Sequence, residues 1–334
     1  MASVLLIASI LLVVVAIGCM CWHKIKPIEN NENECLFLRT DPEQLTEGMF
    51  GQGFIWILEA MSSLANRDVC FDINTNEYGN IVPLIWVPRS QCVEKKKRRT
   101  INLVKYKKEH PECAFDASPY SFERAHEIWR QWFCLSGAIK VRVPRIPPNT
   151  LGVHYRGTDK NRDAAQANAM TLDEFMIVLQ DFMDYGTPVK FSHIFACSDE
   201  QGLHERVSSR WPKIQVIQFP QTRASQRDAT WKCRPVDFRS DHASEKQERA
   251  VAAVIDMYAL SKCSHVLKSS SALSAFAKIL NPEICMLQVS AMKIRWFPAG
   301  AILGYGGNTE VAKGILLRTL AGHVQPVVHN ESEM

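Results

Sequence analysis

The sequence predicts an α/β protein in two units behind an N-terminal membrane-spanning helix. Three observations carry that reading. Strands and helices alternate through residues 150–289, which demands crossover connections and a parallel sheet with helices on both faces. A glycine-containing start at 48–53 runs into a helical pattern of apolar residues. No charged residue occurs from Ala2 to Trp22. Twenty-one residues at about 1.5 Å each span roughly 30 Å, the thickness of the hydrocarbon core.

The N-terminal stretch is expected to be a retained signal anchor over 1–22. A cleaved signal peptide, with Ala16-Ile17-Gly18 as its small-residue site, is the alternative. Lys24 and Lys26 would keep the following side cytoplasmic, whereas the acidic segment 30–34 and the large domain beyond it favour the lumen. Residues 23–45 read as a polar stem. A first domain then covers 46–145. Its apolar positions Ile55, Ile57, Leu58, Met61 and Leu64 fall on overlapping helix faces, and 81–87 (IVPLIWV) is strand-like, with Pro83 at an edge or bulge. Residues 94–108 carry eight basic side chains and one Glu, a local net +7 in a chain of 334 residues whose total is +4. Such a strip reads as a solvated loop, or as a contact for an acceptor or membrane surface. It is no basic face of the kind a nucleic-acid partner requires, so none is expected. A helix is predicted at 119–136, and Pro144, Pro147 and Pro148 make 141–149 a linker or sheet-edge crossing.

The second domain, 146–330, is read as strand 150–156, a helix capped by Thr171, strand 189–196, helix 200–210 and strand 214–219. A long polar loop follows at 220–245, then helix 246–260, strand 264–268, helix 271–280 and strand 284–289. Ligands gather at the carboxyl ends of parallel strands. The candidate rim is therefore 154–160, 198–200, 219–223 and 269–271.

Two clusters on that rim carry chemistry. His154-Tyr155-Arg156-Gly157-Thr158-Asp159-Lys160 offers a guanidinium for bidentate phosphate contact beside a glycine that admits close backbone approach. Its plain alternative is an exposed loop tied by an Arg–Asp pair. Ser269-Ser270-Ser271 precedes a helix, which makes either an anion site or a simple N-cap. Two anion sites on neighbouring strands suit a diphosphate. No Walker loop, GxGxxG after a strand, GxSxG elbow or HExxH occurs. The eleven cysteines show no CxxC spacing, and nine lie beyond the anchor. Disulfides among Cys35, Cys70, Cys92, Cys113 and Cys134, and buried single thiols, are both open. The sequon Asn330-Glu331-Ser332 fits a secretory route.

The segment LGVHYRGTDK at 151–160 resembles the HxR(R)TDK signature of the GDP-fucose-dependent fucosyltransferases: the alpha-1,6, the nodulation and the protein O-fucosyltransferases. IDMYALSKCSHVLKSSSALSAFAKIL (255–280) is similar to their second nucleotide-binding motif, FACSDE (195–200) to the intervening strand, and 48–53 to the first-domain loop that meets the pyrophosphate. The resemblance implies a GT-B architecture of two Rossmann-like halves around a cleft. It implies inverting transfer without a metal or other cofactor, from GDP-fucose or a related GDP-sugar to a glycan or glycoprotein. In that scheme His154 and Asp256 address the guanine end, Arg156 the diphosphate, and Ser270 or Ser271 the phosphates. Thr158, Asp159, Lys160 and Gly51 complete the donor contacts. Asp163 is the candidate base, with a helix N-cap as its other reading. The chain departs from the alpha-1,6 enzymes at Gly157, where they carry a second arginine; Lys160 or Arg162 would assist Arg156. Loop 220–245, with Arg223 and Arg227, would close over the donor. The expected protein is a lumenal, single-pass Golgi or secretory-pathway transferase. A catalytically silent glycan- or nucleotide-binding protein of the same fold is the alternative.

Overall fold

The computed structural model describes residues 34–40, 49–64, 67–75, 79–80, 82, 97–115, 119–157, 170–185, 190–200, 202–219, 243–290, 293–296 and 302–304. The proposed anchor, Asn330 and nearly all of loop 220–245 lie outside them. Among the described residues no helix is long and apolar enough to cross a membrane.

Two sheets form. The first contains β1 (Glu34–Thr40), β2 (Asp68–Thr75), the short β3 (Gly79–Asn80) and β4 (Lys97–Asn102), in the order β3-β2-β1-β4. β1 is parallel to both of its neighbours, and β3 turns back on β2. This corrects the stem expected at 23–45. Glu34–Thr40 is an interior strand whose Leu36 and Leu38 are wholly buried, and short polar flanks had disguised it. The basic strip 94–108 is likewise not a loop where it is described. Lys97–Asn102 forms an edge strand, and Leu103–Glu109 is a helix, α2, capped by the Asn102 side chain. Charge on an edge strand discourages pairing with a further strand, which gives this basic run a structural role.

Between β1 and β2 the chain winds through a π-helical segment, Met49–Ile55, into α1 (Trp56–Leu64). The glycines at 51 and 53 thus lie in a wide helical turn rather than an open loop. The strand-like run 81–87 falls outside the described residues except for Val82, which is buried. Residues beyond β4 add α3 (Pro119–Trp132) and the single turn α4 (Gly137–Lys140), capped by Ser136.

The second sheet follows the alternation closely. β5 (Thr150–Tyr155), α5 (Leu172–Tyr185), β6 (His193–Ser198), α6 (Leu203–Arg210), β7 (Gln215–Ile217), α7 (Ala243–Leu260), β8 (His265–Lys268), α8 (Ala272–Leu280) and β9 (Cys285–Ser290) succeed one another. Thr171 and Glu174 cap α5 reciprocally, each side chain accepting the other residue's backbone N–H. Two antiparallel strands absent from the sequence reading, β10 (Lys293–Trp296) and β11 (Ile302–Gly304), extend the sheet to the order β11-β10-β9-β8-β5-β6-β7.

Alternate residues of β5 face different cores. Leu151, Val153 and Tyr155 join Phe175, Leu179 and Val207 of α5 and α6 in one cluster. The opposite face is closed by α7 and α8. A Cβ on Gly152 would fall 2.9 Å from Leu260 and 3.0 Å from Val266, so only glycine lets α7 approach this strand so closely. α8 then turns its other side to the first half. The Phe276 ring packs tilted or edge-on with centroids 5.4–6.2 Å from those of Phe50, Phe54 and Trp129, and the His126 Nδ1 lies 2.7 Å from the Ile279 carbonyl oxygen. One hydrophobic core therefore runs from Leu36 and Leu38 of the first sheet to Phe195 and Val266 of the second.

Cys113, Cys263 and Cys285 are free thiols; Cys35 and Cys70, whose sulfurs are 3.7 Å apart on neighbouring strands, are not among them. Burial raises the Cys263 thiol and pushes Cys285 up to about 11, so both are inert at neutral pH.

Candidate functional site

The strand order places β5 centrally, with β6 and β7 on one side and β8 and β9 on the other. The chain therefore reverses its winding direction between β5 and β8. Loops leaving the carboxyl ends of such a pair diverge to opposite faces and open a crevice. His154-Tyr155-Arg156 and Lys268-Ser269-Ser270-Ser271 end these two strands, with His154 opposite Lys268 in register.

The two ends are sewn together. The Arg156 backbone N–H donates to Ser269 Oγ at 2.8 Å, and the Ser269 N–H donates to the His154 carbonyl at 3.0 Å. From the other side Asp199, just past β6, accepts the Gly157 N–H at 2.9 Å. Its second oxygen lies 3.8 Å from Arg156 Nε. Arg156 and Asp199 are 32% and 25% exposed, so solvent screens this pair, which orients the guanidinium. An Arg–Asp pair, the feature of the plain alternative for this cluster, is thus present, made by Asp199 just past the neighbouring strand.

Ser271 caps α8: its Oγ accepts the Leu273 N–H at 3.3 Å. Ser270 is exposed beside it. The sequence alternatives of N-cap and anion site are compatible, because one side-chain cap satisfies only one of the first-turn amides. His154 is 4% exposed, its Nδ1 3.0 Å from Ser274 Oγ on α8. Asp256, also 4% exposed, sits on α7 one turn before Leu260, which packs over β5; it lies nearer the carboxyl ends of the strands. Gly51 comes from the other half. A Cβ there would be 3.9 Å from that of Ala272, so the π-helical segment abuts the first turn of α8.

The structure brings His154, Arg156, Ser270, Ser271 and Gly51 together around the carboxyl ends of β5 and β8 and puts Asp256 on the helix behind them. Thr158, Asp159, Lys160 and Asp163 lie outside the described residues, as do Arg162, Arg223 and Arg227. Gly157 has a physical reason here. A Cβ at 157 would collide with Glu200 Oε2 and come within 2.6 Å and 2.8 Å of the Tyr155 ring and hydroxyl. Tyr155 cannot yield, being fully buried with its hydroxyl donating to the Met170 carbonyl at 3.1 Å. Sequence reasoning missed Lys268 and Ser274. The available signal was a lysine closing an otherwise apolar strand, three residues before a helix cap. Among the described residues no group of side chains suits a metal ion.

No family model matches the chain, and no curated protein does. Solved structures similar to it include NodZ alpha-1,6-fucosyltransferase soaked with GDP-fucose (15% identity, TM-score 0.46, 76% of this chain and 94% of that one). NodZ fucosyltransferase from Bradyrhizobium gives 16% identity and TM-score 0.44, over 78% of this chain and 96% of that one. A mutant of Arabidopsis thaliana FUT1 in complex with GDP gives 10% and 0.42, over 79% and 72%. The likenesses are distant, and the functional reading rests on the geometry of the site.

Proposed function

We propose that the chain is a glycosyltransferase of GT-B architecture that uses GDP-fucose, or a related GDP-sugar, to modify a glycan or glycoprotein by inverting, metal-independent transfer. One observation carries the reading: a screened but oriented guanidinium, Arg156, and a serine-capped helix N-terminus share the switch-point crevice. A diphosphate is the leaving group that such a crevice suits. In the transfer, the acceptor hydroxyl oxygen attacks the anomeric carbon as the bond to the diphosphate oxygen breaks. The hydroxyl proton passes to a carboxylate base, for which Asp163 is the candidate, and the departing oxygens gather negative charge. Arg156 and the first-turn amides of α8 meet that charge with donors already in place. His154 and Asp256 are assigned to the guanine end, Gly51 to the pyrophosphate side, and Thr158, Asp159 and Lys160 to further donor contacts.

The proposal extends to the rest of the chain. A signal anchor over 1–22 would hold it as a single-pass protein facing the secretory lumen. The division into 46–145 and 146–330 would carry over, with the first unit beginning by residue 34. A second reading, a silent nucleotide- or glycan-binding protein, is favoured by Gly157, because the space for a second arginine is filled by Glu200 and Tyr155.

Thermal shift and donor hydrolysis on the full chain in detergent, with chelator, against GDP-, UDP- and CMP-sugars test both. GDP-specific stabilisation with hydrolysis of a GDP-sugar is expected, and Arg156→Ala should lower turnover about 10²–10³-fold. Binding of GDP without turnover of any GDP-sugar, with or without candidate acceptors, would favour the silent reading. No response to any nucleotide from folded protein would sink both nucleotide readings.

A further inference from the structure

Lysine is almost never fully buried, because an ammonium loses its hydration there. Lys268 is 1% exposed, among the largest wholly buried side chains of the protein. It ends β8 between His154 on β5 and Gln288 on β9. Its Nζ donates to the Ser271 carbonyl at 3.4 Å. That oxygen also accepts the Ala275 N–H at 3.2 Å, a first-turn bond of α8, and the Ser274 hydroxyl at 3.3 Å. Ser274 Oγ in turn meets His154 Nδ1 at 3.0 Å.

These contacts close a circuit from the end of β8, through the first turn of α8, to the end of β5. Ser269 anchors the serine turn to β5 on one side, through His154 and Arg156. Lys268 anchors its other side from beneath. The ammonium also stands under the positive end of an α-helix, in a medium of low dielectric.

We infer that Lys268 is a positioning residue for the diphosphate: it clamps the Ser271 carbonyl and so fixes the first turn of α8 against the carboxyl ends of β5 and β8. The inference rests on the reading of the crevice as a nucleotide-diphosphate site. It assigns no proton transfer to Lys268, which lies below the surface the ligand touches.

The test is titration calorimetry of the full chain in detergent with GDP, guanosine and inorganic pyrophosphate, on wild type, Lys268→Met and Lys268→Arg. Lys268→Met should weaken GDP and pyrophosphate at least tenfold and guanosine less than twofold. Lys268→Arg should recover part of the loss. Equal weakening of GDP and guanosine, or an unchanged GDP affinity, overturns the inference, since a merely structural lysine would not discriminate between them. Wild type that binds pyrophosphate but not GDP would refute the nucleotide reading while leaving Lys268 to be judged on pyrophosphate; wild type that binds neither refutes both. Should Lys268→Met not fold, the lysine methylene resonances of ¹³C-lysine-labelled wild type take its place. Lys268, identified by its loss in Lys268→Arg, should shift on adding pyrophosphate and not on adding guanosine. No shift overturns the inference.

Discussion

At the scale of single residues, Gly157 is the most constrained position in the crevice. Its missing side chain is where Glu200 and Tyr155 meet the chain, and Tyr155 is locked by burial and by Met170. Forcing a methyl group into packed space typically costs 1–3 kcal/mol. Gly157→Ala should therefore destabilise the protein by about that amount in denaturant titration. Removing the flexible partner as well, in Gly157→Ala with Glu200→Ala, should restore part of it, while Tyr155 keeps the rest. A Gly157→Ala protein as stable as wild type would show that the space is not closed. The residue types at 154–157 were legible in the sequence. That Asp199 and Ser269 hold them was not, because those partners stand 42 and 113 positions along the chain.

Among the elements, α1 and α2 are joined by an ion pair that the sequence does not advertise. Lys107 Nζ lies 2.6 Å from Glu59 Oε2, with side chains 10% and 5% exposed, and the other carboxylate oxygen accepts the Phe115 N–H at 2.6 Å. Breaking a buried pair strands a charge and costs about 3–5 kcal/mol, whereas removing both charges together costs far less. Lys107→Met alone should be strongly destabilising. Adding Glu59→Gln, which keeps an acceptor for Phe115, should return most of the loss. A double-mutant cycle showing simple additivity would contradict the pairing. Lys107 belongs to the strip that composition marks as a solvated loop. Charge counting cannot tell which of eight cations turns inward, since only the packing of α2 on α1 does so.

At the scale of the whole molecule, α8 serves two masters. Its first turn stands at the carboxyl ends of β5 and β8, and Phe276, one turn further on, makes three ring contacts with Phe50, Phe54 and Trp129 of the first half within a core that also includes the helix layer under the second sheet. Truncating a buried aromatic of this kind costs about 3–5 kcal/mol. Phe276→Ala should lower the denaturation midpoint by a corresponding amount. It should also separate the unfolding of the two sheets when each is followed by hydrogen exchange. Coincident transitions at an unshifted midpoint would show that the shared core is not what couples them.

The sequence by itself determined the α/β alternation of residues 150–289, the cap at Thr171, the serine cap of α8 and the chemistry available at 154–157. These are local properties, carried by apolar period, capping residues and side-chain type within a few positions. Only the tertiary structure decided that 34–40 is an interior strand, that 97–102 is a charged edge, and that β10 and β11 extend the sheet. It alone decided that the winding reverses between β5 and β8. Strand order is settled by pairing across more than a hundred residues, to which local pattern is blind. That pairing puts Arg156, the serine turn and the buried Lys268 at one crevice, against Gly51 from the other half.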